Sequence, residues 1–166
     1  MKIPFEKIDA FIFDFDGVMT NNYVYTDQEG REAVVCSRAD GLALDVLNKI
    51  NKPSYIISTE TNNIVKTRAN KLKIPAIQGV SNKEKAIKEL ANKNNFDLNN
   101  LVYIGNDLND YYAMRICGFS ICPADSHSKI KDISDIVLKT NGGDGVVREI
   151  LEEVFKLNLI KILYEN

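Results

Sequence analysis

The chain is 166 residues long, 45% hydrophobic and 27% charged, with a formal net charge of −2. That is length for one domain, expected over 1–166, with a substantial core and an ordinary globular composition. The near balance of charge excludes the broad basic field of a nucleic-acid-binding domain. No apolar run approaches a membrane span, and residues 1–9 include Glu6 and Asp9 rather than the apolar core of a signal peptide. Cys36, Cys117 and Cys122 are odd in number and lack metal-type spacing. They read as small core residues of a protein in a reducing cytoplasm.

Apolar runs alternate with helical patterns along the chain. Residues 10–15 read as a first buried strand. Residues 23–26 and 31–36 flank the polar stretch Asp27-Gln28-Glu29-Gly30 and predict a β-hairpin, a flap over about 22–37. This hairpin could cover the site or pair with a neighbouring subunit. Residues 41–50 carry Leu44, Leu47 and Ile50 at helical spacing, with Asp40 as the candidate N-cap. Strand 54–58, helix 62–72, the short strand 76–78 and helix 83–92 follow. Then come strand 101–104, helix 108–116 and the short strands 119–121 and 136–138. An amphipathic helix is predicted over 145–157. The apolar tail beyond it, with Leu159, Ile160, Ile162, Leu163 and Tyr164, is expected to dock on a neighbour or form an interface. Strands alternating with helices of this size predict an α/β fold, a Rossmann-like parallel sheet with helices on both faces and a hairpin inserted after the first strand.

The chemistry gathers where strands end. Phe11-Ile12-Phe13-Asp14-Phe15-Asp16-Gly17 puts two carboxylates at the edge of the sheet, where open α/β sheets bind ligands. Strand alternation points Asp14 and Asp16 the same way. Like charges so close repel, and a bound cation relieves them, which predicts a Mg²⁺ site in which one carboxylate can act as nucleophile. A calcium loop does not fit, because its ligand positions 5 and 12 fall on Val18 and Tyr25. Ser58, Thr59 and Glu60 end the next strand at a helix start, where they either hold a phosphate oxygen or cap the helix. Lys83 begins the following helix, where it either neutralises a phosphate or lies on a solvated face. Gly105-Asn106-Asp107-Leu108-Asn109-Asp110 supplies a second group of oxygen ligands at the same sheet edge. The glycine-rich stretch 141–145 lacks the lysine and spacing of a P-loop and reads as a turn. His127, alone in a polar loop, reads as solvated.

The order strand-Asp-x-Asp, strand-Ser, Lys, strand-Gly-acidic cluster resembles the haloacid dehalogenase-like phosphohydrolases over nearly the whole chain. The resemblance implies that Asp14 is the phosphorylated nucleophile and Asp16 the acid/base. It implies that Ser58 and Lys83 hold the transferring phosphoryl group. Mg²⁺ would be held by Asp14, Asp16 (through its backbone carbonyl) and the cluster after Gly105, namely Asn106 and Asp107. Only a helix and a short strand separate Ser58 from Lys83, so no large cap domain is expected. The runs 14–20, Arg38-Ala39-Asp40-Gly41, 107–110, 123–127 and 142–149 are similar to the capless phosphatases of 3-deoxy-2-ulosonate biosynthesis. These act on 3-deoxy-D-manno-octulosonate 8-phosphate or on the 9-phosphates of KDN and sialic acid. The phosphatase-like domain of CMP-sialic acid synthetases is also similar. This likeness implies a homotetramer in which hairpins pack together and neighbouring subunits complete each site.

Three departures from that pattern refine the expectation. Octulosonate enzymes usually carry Thr-Gly-Arg where this chain has Ser58-Thr59-Glu60. Glu60 with Lys71 resembles the nine-carbon branch, so Thr59, Glu60, Lys71 and Arg38 are the expected substrate contacts. Arg38 stands one residue earlier than the usual arginine. Asn106 stands where a metal-binding aspartate is usual, which predicts weaker Mg²⁺ affinity. The leading expectation is therefore a Mg²⁺-dependent phosphatase of a nine-carbon sugar-acid 9-phosphate. The octulosonate 8-phosphate phosphatase is the alternative. A non-catalytic oligomerisation partner of a CMP-sugar-acid synthetase is the rival from another class.

Overall fold

The structure is a computed structural model and describes residues 4–165. Its frame is a six-stranded parallel sheet built from β1 (Ala10–Phe13), β4 (Ser54–Ile57), β5 (Ala76–Ile77), β6 (Leu101–Ile104), β7 (Phe119–Cys122) and β8 (Ile136–Val137). The order β5-β4-β1-β6-β7-β8 puts β1 at the centre, with the chain first building outward to β5 and then crossing back to β6. Neighbouring connections therefore diverge beside the carboxyl end of β1, the topological switch point where such sheets open a crevice. The separate pair β2 (Tyr25–Thr26) and β3 (Glu32–Ala33) forms the predicted hairpin, antiparallel and shorter than its apolar runs suggest. Its turn is closed by Gly30 N donating to Asp27 O at 2.9 Å and by Arg31 Nε on Asp27 Oδ2 at 2.7 Å.

The central strands are buried on both faces, and alternate residues serve two cores. Phe11, Phe13, Ile56, Val102, Ile104, Phe119 and Ile121 pack under α1 (Arg38–Lys49), α2 (Asn63–Leu72), α6 (Val146–Glu149) and α7 (Leu159–Tyr164). Ala10, Ile12, Ile57, Leu101 and Tyr103 pack under α3 (Lys83–Asn94), α4 (Tyr111–Ile116) and α5 (Ser128–Ile133). No helix among the described residues is long and apolar enough to cross a membrane.

Several local expectations are corrected. Helix α1 starts earlier than predicted, because Ser37 is its N-cap, accepting from Ala39 N, and Asp40 lies inside the first turn. The predicted loop between β7 and β8 contains α5, whose N-cap is His127. The predicted final helix is α6 followed by a π-helical turn over Ile150–Val154, ended by Lys156 at φ 57°. The apolar tail folds back on its own chain as α7. Leu159 is buried there, and Lys49 Nζ donates to Leu163 O at 2.5 Å, while Ile160 and Tyr164 stay exposed.

Candidate active site

β1 ends at Phe13, two residues before the predicted end. The Asp14 amide still donates to Ile104 O at 2.9 Å, and the chain then curls through a turn in which Met19 N donates to Phe15 O at 2.9 Å. Gly17 at φ +80° permits that curl, so the turn rather than strand alternation brings Asp14 and Asp16 to one cleft. Asp14 is buried, and Lys83 Nζ lies 2.7 Å from its Oδ1. The same ammonium lies 2.7 Å from Asp110 Oδ1. Asp110 in turn accepts from Tyr103 OH at 2.8 Å and from Asn106 N at 2.9 Å. Burial pushes the Asp14 carboxyl well up and the Asp110 charge adds to this, while Lys83 opposes both. Burial pulls Lys83 down, but the two carboxylates outweigh it and hold the ammonium charged. Two acids share one base here, and a cation nearby would favour the ionised Asp14 carboxylate that burial opposes.

Asp16 is half-buried. Its Oδ1 accepts from the Thr20 hydroxyl at 3.4 Å. Burial raises its carboxyl, the Glu60 and Glu32 charges raise it further, and Thr20 and Lys83 pull it back. A carboxyl biased toward its protonated form suits an acid that must donate to a leaving alcohol. Glu32 comes from the hairpin and accepts from Asn62 Nδ2 at 2.8 Å, tying the flap to the start of α2. Glu60 Oε1 accepts from Thr61 N at 2.7 Å and from Asn62 N at 2.9 Å, so Glu60 braces that helix start and charges the site at once.

The cleft has a volume of about 320 Å³ and is lined by Asp14, Asp16, Asn22, Thr59, Asn106, Asp107, Leu108 and Asn109. Among the described residues no three His, Cys, Asp or Glu side chains converge as a metal site by themselves. The donor set is mixed instead. Asn106 is buried, and its Oδ1 has no hydrogen-bond partner, a costly arrangement unless something binds it. Gly17 makes room for that side chain, since a Cβ there would meet Asn106 Nδ2 at 1.9 Å. Two carboxylates and an orphaned amide oxygen on one cleft fit a hard cation such as Mg²⁺. The Asp107 side chain caps the short turn after it, accepting from Leu108 N at 2.7 Å, and remains exposed at the rim.

The other expected contacts divide. Ser58 is buried at the end of β4, beside β1, and its Oγ accepts from Glu60 N at 3.1 Å. Thr59 lines the cleft. Arg38 and Lys71 do not. They line a separate groove between α1 and α2 with Asp45 and Arg68, Arg38 from the first residue of α1 and Lys71 from the last turn of α2. His127 is exposed, with its Nδ1 accepting from Lys129 N at 3.1 Å, while its amide donates to Asn106 O at 2.9 Å. Gly142 and Gly143 pack against the backbone of Gly17 and Thr20, so the glycine-rich turn serves as a buttress of the Asp14–Asp16 loop. Sequence reasoning left Tyr103 and Thr20 without roles, and it read Asp110 only as one of the oxygen ligands after Gly105, whereas its side chain binds Lys83 and Tyr103. A lone hydroxyl in the buried strand 101–104 is the signal that could have found the first, since a buried tyrosine hydroxyl needs a partner.

Asp40 is buried on α1 and accepts from Val147 N at 2.7 Å, holding the start of α6 behind the buttress. Burial pushes its carboxyl from 3.8 up to about 6, against the backbone donors Val147 and Arg148 and the charges of Arg68 and Arg148. The folded state thus holds this proton more tightly than the unfolded chain does. Stability from it is full below about pH 4 and is lost as pH rises to about 6, a change on the order of 2–3 kcal/mol. Asp40→Asn removes that slope. Denaturation of wild type and variant at pH 4, 5, 6 and 7 should show their difference changing through this window and then levelling. Parallel curves would contradict it.

The fold and the site define a haloacid dehalogenase-type phosphatase. A family model for haloacid dehalogenase-like hydrolases matches residues 43–150, and the chain belongs to that family, in the capless branch typified by 3-deoxy-D-manno-octulosonate 8-phosphate phosphatases. One relative is the 3-deoxy-D-manno-octulosonate 8-phosphate phosphatase KdsC of Salmonella typhi, 32% identical over 148 residues, 89% of this chain and 79% of that one. Among solved structures, the 3-deoxy-D-manno-octulosonate 8-phosphate phosphatase of Moraxella catarrhalis, in complex with magnesium, phosphate and KDO, is 31% identical with a TM-score of 0.85. That match covers 94% of this chain and 87% of that one. A putative haloacid dehalogenase family hydrolase from Streptomyces avermitilis is 36% identical with a TM-score of 0.89, covering 92% and 87%.

Proposed function

We propose that the protein is a Mg²⁺-dependent phosphatase of a 2-keto-3-deoxy sugar-acid phosphate, with 3-deoxy-D-manno-octulosonate 8-phosphate as the first substrate to test. The single observation that carries the chemistry is the buried ammonium of Lys83 at 2.7 Å from both Asp14 and Asp110, beside the orphaned Asn106 oxygen. The relatives named for octulosonate 8-phosphate carry the substrate and reverse the order expected from Glu60 and Lys71. A nine-carbon acid 9-phosphate is the second reading. Glu60 favours it, because its carboxylate sits close enough to Asp16 to act on it electrostatically, and there it disfavours a substrate carboxylate. The intact Asp14–Lys83–Asp110 cluster speaks against a purely structural partner of a synthetase.

In this reading Asp14 attacks phosphorus. Lys83 and Phe15 N, at 2.7 Å, both engage Oδ1, leaving Oδ2 as the attacking oxygen. Asp16 protonates the leaving alcohol and later takes a proton from the hydrolytic water, while Ser58 and Lys83 orient the phosphoryl oxygens. Asp14, Asp16, Asn106 and Asp107 would hold the magnesium ion, which supplies charge neutralisation for the transferring group. The hairpin exposes Tyr23 and Tyr25 at 78% and 71%, apolar area that favours assembly through the hairpins into a homotetramer. A cytoplasmic location goes with the free cysteines.

A phosphate-release screen with and without Mg²⁺, over the two sugar-acid phosphates and a panel of small phosphoesters, tests the substrate. Similar rates on every ester would mean a broad-specificity phosphatase instead. The neutral ligand has its own consequence. Asn106→Asp adds a charge worth about 4 kcal/mol at 4 Å and an effective dielectric of 20 before desolvation, so the Mg²⁺ midpoint should fall roughly tenfold. The Mg²⁺-dependent rise in melting temperature reads this without turnover, and an unchanged midpoint would remove residue 106 from the ligand set.

A further inference from the structure

The Thr20 side chain is fully buried between the Asp14–Asp16 loop and the hairpin. Its hydroxyl oxygen accepts from Gly17 N at 3.1 Å and from Asn22 N at 3.2 Å. A hydroxyl has two lone pairs and one hydrogen. With both lone pairs taken by backbone amides, the hydrogen is aimed at the remaining neighbour, Asp16 Oδ1 at 3.4 Å. The contact is long, so what it supplies is orientation rather than strength. Thr20 also pairs through its backbone with Cys36 in an isolated antiparallel bridge that closes the base of the hairpin, and Gly142 packs on its carbonyl.

We infer that Thr20 is the positioning residue of the acid/base: its hydroxyl hydrogen occupies Asp16 Oδ1 and leaves Oδ2 as the oxygen that carries the transferable proton toward the cleft. The inference rests on the phosphatase reading and goes beyond it. In the first step an Asp14 oxygen bonds to phosphorus. The bond from phosphorus to the ester oxygen breaks, its electron pair stays on that oxygen, and the Asp16 Oδ2 proton neutralises it. In the second step water attacks phosphorus, the Asp14–phosphorus bond breaks, and the water proton restores Asp16. Thr20 keeps its own proton throughout. One hydroxyl thereby joins three parts: the nucleophile loop through Gly17, the acid through Asp16 and the flap through Asn22. The set of the hairpin is thus transmitted to the acid through the Thr20 hydroxyl.

The test uses the need for an acid. The alcohol leaving from 3-deoxy-D-manno-octulosonate 8-phosphate requires a proton, whereas the phenolate of p-nitrophenyl phosphate leaves without one. With the full-length protein and saturating Mg²⁺, Thr20→Val should lower kcat/KM on the sugar phosphate by about tenfold or more and on p-nitrophenyl phosphate by less than about threefold. Thr20→Ser, which keeps all three hydrogen bonds, should match wild type on both. A variant that merely loosened the loop would displace Asp14 and lose equally on both esters. Equal losses, or no loss, would overturn the inference. Should the valine variant not fold, Thr20→Cys, a weak donor and acceptor, carries the same comparison. Wild type inactive on both esters, or Asp14→Asn as active as wild type, would overturn the phosphatase reading and this inference with it.

Discussion

Asp14→Asn is expected to reduce phosphate release to background, a loss on the order of 10⁴-fold or more, with no loss of stability. The amide has nearly the shape of the carboxylate but carries no charge to attack phosphorus. The fold should tolerate it, because Lys83 keeps Asp110 at 2.7 Å and the repulsion between the two buried carboxylates disappears. Phosphate release with Mg²⁺, set beside a thermal melt, checks both halves. Monoester hydrolysis is among the slowest uncatalysed reactions, with enhancements up to roughly 10²¹, so a true nucleophile cannot be removed cheaply. A variant with wild-type turnover would return the assembly-only reading to consideration.

Lys83→Met should cost about 3–5 kcal/mol of stability and roughly 10²- to 10³-fold in turnover. The side chains of Lys83, Asp14 and Asp110 are 1%, 5% and 0% exposed, so removing the ammonium strands two carboxylates out of water. This is the expensive way to break a buried ion pair, since the desolvation of the survivors is no longer offset. For a chain of this size the melting temperature should fall by about 6–20 °C. The deficit should shrink as pH falls, because burial already favours the protonated Asp14 and the missing ammonium no longer opposes it. Adding Asp110→Asn should recover much of the stability and none of the turnover. Chemical denaturation of the single and double variants decides this, and a fully stable single variant would show that the cluster is not closed to water.

Much of the site was legible because its residues violate the local pattern around them. Aspartates at the end of an apolar strand need an explanation, and Asp14 and Asp16 do meet in one cleft even though the chain curls after Phe13. Lys83 was ambiguous in sequence, since Glu84, Lys85 and Lys88 make its helix look solvated. Only the packing of α3 under the sheet buries it. Arg38 and Lys71 had plausible chemistry, yet the helices that carry them turn them into another groove. Helix α5 was missed because six residues give too little periodicity to read. Apolar residues in the tail do not say whether the surface that covers them belongs to the same chain: α7 packs against α1 with Leu159 buried, while Ile160 and Tyr164 stay exposed.

The sequence by itself determined the alternating architecture and the strand ends where carboxylates and amides gather, because hydrophobic periodicity and uncompensated charge are local properties of the chain. Tertiary structure alone decided which charges meet. The bridge from Tyr103 through Asp110 and Lys83 to Asp14 joins three separate stretches of chain. Its partners are selected by which strand ends and helix starts the parallel sheet brings side by side, and periodicity along one segment carries no information about that distance in space.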